Sequence, residues 1–309
     1  MQNMKKVLSL VATFVMAMMI FVGCSNKPTT MQDREGNEFN VPKEVNTIIS
    51  TAPSNTEVLV ALGLADKLVA VDKYSADVEG VSEDIPKIDF RNPDAEAIIA
   101  LNPDIVIASG HNKAGDEDPF ALIKEAGIPV AYIPSSYSID GIYGDIEFIA
   151  NLTGTEKEGE ELINSMKEDV ESIKAIGDTI TDKKSVYFEI GAGSGLYTFG
   201  NETFLNEMIE TIGATNIFGD ESSWITVTPE AVIDANPDVI LANSPGTNEA
   251  GLTAVEDIVS REGWDTVTAV KNGDVYQIDK NSSSRGSQNI IKALKEMAKA
   301  VYPDEYKDF

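Results

Sequence analysis

The chain has 309 residues with 42% hydrophobic content, enough for one large or two medium cores. Its 51 acidic and 24 basic residues give a formal net charge of −27, which repels phosphate backbones and argues against nucleic-acid binding. One cysteine and one histidine exclude an intrachain disulfide and a zinc site built from several Cys and His ligands, but they leave room for a ligand that brings its own metal.

Residues 1–23 read as a targeting segment. Lys5 and Lys6 form a basic start and Val7 to Val22 an apolar run. Phe21-Val22-Gly23-Cys24 then places a small residue before the cysteine, as a signal peptidase requires. The run is short for a membrane span, which takes about 20 apolar residues. The segment resembles a bacterial lipoprotein signal with Cys24 as the acylated first residue, although Phe21 stands where leucine is usual. A plain signal peptide or an uncleaved anchor is the alternative. Several acyl chains on Cys24 would anchor the chain stably to a membrane. Residues 24–45 are polar, contain Pro28 and Pro42, and read as a tether with an entry strand.

A first lobe, 46–153, begins with the short apolar strand Thr47-Ile48-Ile49-Ser50. Strands at Val69–Val71, Ile105–Ala108 and Val130–Ile133 alternate with helices at Ala95–Leu101 and Pro119–Ala126. Short apolar strands separated by helices indicate a parallel sheet covered on both faces. Ser138–Leu152 reads as a helix.

The segment 154–178 reads as one long helix between lobes. Leu162, Met166, Val170 and Ile173 form an apolar stripe at helical spacing. Thr155 with Glu158 has the form of a capping box, and Gly177 of a stop. The second lobe, 179–309, restarts the pattern. It has strands at Ser185–Ile190, Val239–Ala242 and Val275–Ile278, and helices at Phe204–Ile212, Thr228–Ala235 and Gln288–Val301. The expected architecture is α/β, with two Rossmann-like lobes joined by a long rigid helix.

One internal repeat stands out. Residues 96–108 read EAIIALNPDIVIA and residues 230–242 read EAVIDANPDVILA. In each, a glutamate opens a short helix, where its charge suits the positive helix end. Asn-Pro-Asp stops that helix, and a buried strand follows. Phe90 and Trp224 each lie six residues before the glutamate. The pair Glu96 and Glu230 therefore occupies equivalent places on two lobes.

Several motifs in order resemble the vitamin B12 and iron-siderophore binding proteins of ABC importers. They are Ser54-Asn55-Thr56-Glu57 with Leu62-Gly63, the two Asn-Pro-Asp repeats, and Asn201-Glu202-Thr203 leading to Gly213-Ala214-Thr215-Asn216-Ile217. The resemblance covers about residues 38–305. It implies a monomeric, extracytoplasmic receptor that binds a metal chelate or corrinoid between its lobes and feeds a two-fold permease. Glu96 and Glu230 fall where the family pairs glutamates with permease arginines, an arrangement that fixes orientation and speeds docking. Tyr74, Phe90, Tyr197 and Trp224 fall on cleft aromatics, and flat apolar walls suit a bulky ligand. Any cobalt or iron would come with the ligand, so the protein needs no cofactor of its own. Haem or a nickel chelate is the alternative ligand within the family.

Two further residues are candidates for the ligand. His111 follows the strand Ile105–Ala108 at the end where α/β sheets bind ligands. It could donate to the ligand or its metal, or be a surface loop histidine. Arg285 could meet an anionic group, or be a surface arginine. Gly191-Ala192-Gly193-Ser194-Gly195 invites a dinucleotide reading, but position 196 is leucine and no helix clearly opens there. A nucleotide-dependent enzyme on two α/β lobes is thus disfavoured.

Overall fold

A computed structural model describes residues 29–112, 118–134, 136–193 and 195–309. Cys24, the targeting segment and the His111 side chain lie outside the described residues. Among the described residues, no helix is long and apolar enough to cross a membrane.

The first lobe starts earlier than the sequence suggested. Thr30–Gln32 (β1) and Glu38–Asn40 (β2) form an antiparallel hairpin inside the stretch expected as a tether. Its turn is held by two hydrogen bonds: the Tyr132 N–H donates to Asp33 Oδ2 at 2.9 Å, and the Arg34 N–H to the Tyr132 carbonyl at 3.1 Å. The entry strand expected within 24–45 is thus a pair of strands, a hairpin docked on the lobe.

The chain continues through Ile48–Ser50 (β3), Pro53–Ala61 (α1), Leu68–Asp72 (β4), Lys87–Ile88 (β5), Ala95–Ala100 (α2), Ile105–Ser109 (β6), Ala121–Glu125 (α3) and Val130–Ile133 (β7). The five strands β5-β4-β3-β6-β7 form one parallel sheet. Strands β3, β6 and β7 are buried at every position, as a sheet covered on both faces requires. Helix α1 was not expected as a helix. Pro53 stands in its first turn, a position suited to proline, and Gly63 follows its end at φ +77°.

Ile139–Thr153 (α4) is capped by the Ser138 hydroxyl and ends at Gly154 in the left-handed conformation. Glu156–Gly177 (α5) is the long helix, 22 residues or roughly 33 Å. Its expected stripe is seen: Met166 and Ile173 are buried, and Leu162 and Val170 pack against the same core. Of two local expectations, the cap fails and the stop holds. Thr155 makes no side-chain cap, and its hydroxyl meets that of Thr153 at 2.9 Å instead. Gly177 is the last residue of the helix, and a Cβ there would sit 2.3 Å from the Thr211 carbonyl. It permits close backbone packing against the second lobe.

That lobe comprises Ser185–Glu189 (β8), Gly191–Ala192 (β9), Leu196–Phe199 (β10), Phe204–Thr211 (α6), Thr215–Asn216 (β11), Trp224–Val227 (β12), Pro229–Ala235 (α7), Val239–Ala242 (β13), Ala254–Ser260 (α8), Thr268–Asn272 (α9), Val275–Gln277 (β14), Lys280–Ser284 (α10) and Ile290–Val301 (α11). A parallel sheet β11-β8-β13-β14 carries its core. A second, antiparallel sheet β12-β10-β9 was not foreseen. The glycine-rich 191–195 stretch leads into strand β10, not into a helix, which removes the context a dinucleotide loop needs.

One apolar cluster runs through both lobes, drawing on α4, α5, α6 and α11. The chain end helps to seat α5 against the second lobe: the Tyr306 hydroxyl donates to the carbonyls of Ile173 and Ile212, each at 3.1 Å.

Candidate ligand cleft and docking surface

The repeat is reproduced in space. Glu96 and Glu230 lie in the first turns of α2 and α7 and both are exposed. Each helix is capped alike: Asp94 accepts from the Ala97 N–H at 3.0 Å, and Thr228 Oγ1 from the Ala231 N–H at 3.3 Å. Each helix is followed by an asparagine at φ 47°, Asn102 and Asn236. This sharpens the expected role of Asn-Pro-Asp, because asparagine tolerates the left-handed conformation that turns the chain before proline. The aspartates then bracket the start of a neighbouring strand. Asp104 Oδ2 accepts from the Thr47 N–H at 2.9 Å and hydroxyl at 3.1 Å. Asp238 Oδ2 accepts from the Ser185 N–H at 2.8 Å and hydroxyl at 2.7 Å. The glutamates are thus carried on two rigid, equivalent mounts.

Between the lobes lies a cavity of about 430 Å³. Its first-lobe wall is built where strands β3, β4, β6 and β7 end: Thr51 to Asn55, Tyr74, Ser109, Asn112, Ile133 and Pro134 all line it. Open α/β sheets place ligands at these carboxyl ends. Phe204, Trp224, Ser284, Arg285 and Gly286 come from the other lobe. A larger and more open space, about 1040 Å³, adjoins it and shares Pro53, Tyr74, Ser284 and Arg285 as walls.

Of the sequence candidates, Tyr74, Phe90, Trp224 and Arg285 meet at this cavity, and Tyr197 is not among the residues lining either space. Phe90 and Trp224, the paired aromatics of the repeat, each lean on a second ring 6.0 Å away, those of Tyr74 and Phe199. Tyr74 is 55% exposed and Trp224 44% exposed. Large apolar faces left open toward one space are what a flat ligand requires. The backbone of His111 lies in the short turn Gly110–Asn112, beside Ser109 and Asn112 on the cavity wall. That turn is clasped by Asn112, whose Oδ1 accepts from the Ser109 N–H at 2.7 Å and from the Thr51 hydroxyl.

Arg285 is more heavily engaged than the sequence indicated. Its Nη1 meets Glu57 Oε1 at 2.8 Å and its Nη2 meets Asp77 Oδ1 at 2.8 Å, both on the opposite lobe. Ser287 Oγ donates to Glu57 Oε2 at 2.5 Å, and Asn281 Nδ2 to Asp77 Oδ2 at 2.8 Å. Burial pulls the Asp77 pKa up, but the hydrogen bonds from Arg285 and Asn281 outweigh it and leave the carboxyl below its usual range. This interlobe latch forms part of the wall between the two spaces. Glu57 belongs to the Ser-Asn-Thr-Glu motif, yet its partner lies 228 residues away, so no local pattern could reveal it.

Phe204, Tyr137 and Asp145 also line the wall, and the sequence does not mark them. Phe204 opens α6 behind the cap of Thr203, and Tyr137 is 55% exposed at the rim. Asp145 is buried and held by Arg34 Nε at 2.7 Å and by the Ser136 hydroxyl. Burial raises its pKa in spite of both partners.

Comparison with known proteins agrees with this architecture. The family model for periplasmic binding proteins matches residues 48–282. The uncharacterized ABC transporter substrate-binding lipoprotein YvrC of Bacillus subtilis (strain 168) is 33% identical over 99% of this chain and 100% of its own length. A cobalamin-binding protein of Halobacterium salinarum is 25% identical over 89% of this chain and 74% of its own. The crystal structure of a possible iron-binding, periplasmic solute-binding protein of Staphylococcus epidermidis superposes with a TM-score of 0.74 at 30% identity, covering 84% of this chain and all of the other. The chain belongs to the periplasmic binding protein family, whose members bind solutes and are not enzymes.

Proposed function

We propose that the interlobe cleft takes a bulky metal chelate or corrinoid, and that Glu96 and Glu230 present the loaded protein to a two-fold permease. The protein acts as the substrate-binding component of an ABC transporter, outside the cytoplasm. One observation carries the ligand reading: Tyr74, Phe90 and Trp224, from both lobes, line one cavity at the strand ends. The open ring faces of Tyr74 and Trp224, with Phe90 packed behind Tyr74, match a flat, largely apolar ligand better than a small polar solute. The ligand would bring its own cobalt or iron.

The docking reading is supported by the two equivalent helix mounts, which hold exposed carboxylates without internal ion-pair partners among the described residues. Charges arranged this way set orientation on a symmetric partner. Acylation of Cys24 would keep the monomeric receptor near that partner.

The ligand class is tested by tryptophan fluorescence. Trp224 is half-exposed at the cavity and Trp264 is fully buried, so quenching by ligand should disappear in Trp224→Phe and persist in Trp264→Phe. A panel of corrinoids and ferric chelates should contain at least one quencher with saturable binding. Absence of quenching across the panel, with the folded protein confirmed by circular dichroism, removes this ligand class.

A further inference from the structure

Two arginines, Arg91 and Arg285, line the 430 Å³ cavity. Their electrostatic states are opposite. Arg285 is neutralised by Glu57 and Asp77. Arg91 has no carboxylate or other hydrogen-bond acceptor for its guanidinium among the described residues. The nearest candidate in sequence, Asp89, is already committed: its Oδ1 accepts from the Arg91 backbone N–H at 3.1 Å, and its Oδ2 from Lys73 Nζ at 3.1 Å. The guanidinium carbon instead sits 5.5 Å from the centroid of the Phe90 ring. Stacking on an aromatic face holds the group in place and leaves its in-plane N–H donors unspent. In a chain of net charge −27, an arginine left uncompensated beside a ligand cavity stands out.

We propose that Arg91 is a specificity-determining residue of the cleft, binding an anionic group on the ligand: a carboxylate, a phosphodiester or the negative face of a metal chelate. The inference rests on the cleft being the ligand site. It adds that the ligand is oriented with its acidic edge toward the Asp89–Asn92 turn and its flat face between Tyr74 and Trp224. Arg285 has no equivalent role, because an incoming anion would first have to displace two carboxylates. The first turn of α1 points the same way, since residues 52–55 line the cavity and the helix carries no side-chain cap, leaving partial positive charge at that wall.

The test compares wild type with Arg91→Gln and Arg91→Lys in the full-length protein. Titrations followed by Trp224 fluorescence would use ferric citrate as an anionic chelate, ferrioxamine B as a cationic one, and cyanocobalamin as a corrinoid whose anionic group is a phosphodiester. Loss of a charge-assisted contact should weaken the best anionic ligand about tenfold in Arg91→Gln. Arg91→Lys should recover most of that loss, and the wild-type affinity should fall with added salt while that of Arg91→Gln barely changes. Arg91→Asp should reverse the preference toward the cationic chelate. Unchanged affinity for every ligand in Arg91→Gln overturns the inference and leaves the cleft reading intact. An equal loss for anionic and cationic ligands also overturns it, since that points to lost packing on Phe90. Binding of no panel member removes both readings together.

Discussion

The two lobes are alike where they face outward and unlike where they face each other. Both carry the same cassette: a capped short helix with an exposed glutamate, an asparagine at φ 47°, a proline, and an aspartate that brackets the neighbouring strand. The walls of the cleft share no such pattern. The first lobe contributes the ends of four parallel strands with the Tyr74–Phe90 pair, and the second contributes Trp224 from an antiparallel sheet, Phe204 and Arg285. A symmetric partner needs the same surface twice, whereas an asymmetric ligand needs two different walls. This division of likeness and difference is what the proposed roles require, a docking surface for a two-fold permease and a separate cleft for the solute.

The largest stability effect should come from the unlike side. Arg285→Ala leaves Glu57, whose side chain is only 5% exposed, without its cationic partner, and should cost about 3 kcal/mol in chemical denaturation. Asp77 is 54% exposed, so Asp77→Ala should cost no more than about 1 kcal/mol. Equal losses from the two variants would mean that the latch is not divided into a buried and an exposed arm.

The like side should answer symmetrically. Thr47→Val and Ser185→Ala each remove the hydroxyl that meets the cassette aspartate and should each cost about 1 kcal/mol. A several-fold disparity between them would show that the two cassettes differ energetically despite their shared geometry.

The smallest effect concerns pH. The Asp77 carboxyl is held below its usual value in the folded protein. Its contribution to stability is therefore complete above the unfolded value, about 3.9, and is lost as pH falls through the lower folded value. Wild type should lose slightly more stability than Asp77→Asn between pH 5 and pH 3. Parallel profiles would remove Asp77 from the acid response.

The cassettes were legible because most of what makes them is local, a helix start, an asparagine-proline stop and a hydrophobic strand within 13 residues; only the aspartate's hold on the neighbouring strand is long-range. Tyr74, Phe90 and Trp224 were legible through the repeat and the family resemblance. The latch was not, since Glu57 and Arg285 meet only when the lobes pack together. Nor was the antiparallel sheet, whose strands are two to four residues long and whose β12 is only partly buried, giving a weak alternation. Thr155 failed in the opposite sense: the sequence carries a capping signal, yet its hydroxyl is taken up by Thr153. Arg91 is not legible in the sequence because its distinction lies in the acceptors it lacks, and that shows only when the neighbours' hydrogen bonds are known.

The central claim is that two equivalent glutamates serve the transporter and not the ligand. It is tested most directly by measuring ligand affinity and ligand uptake for Glu96→Ala, Glu230→Ala and the double variant in cells expressing the transporter. The expected result is unchanged ligand affinity in all three, comparable partial losses of uptake in the single variants, and near-complete loss in the double variant. Full uptake by the double variant, or a fall in ligand affinity that matches the fall in uptake, would contradict it.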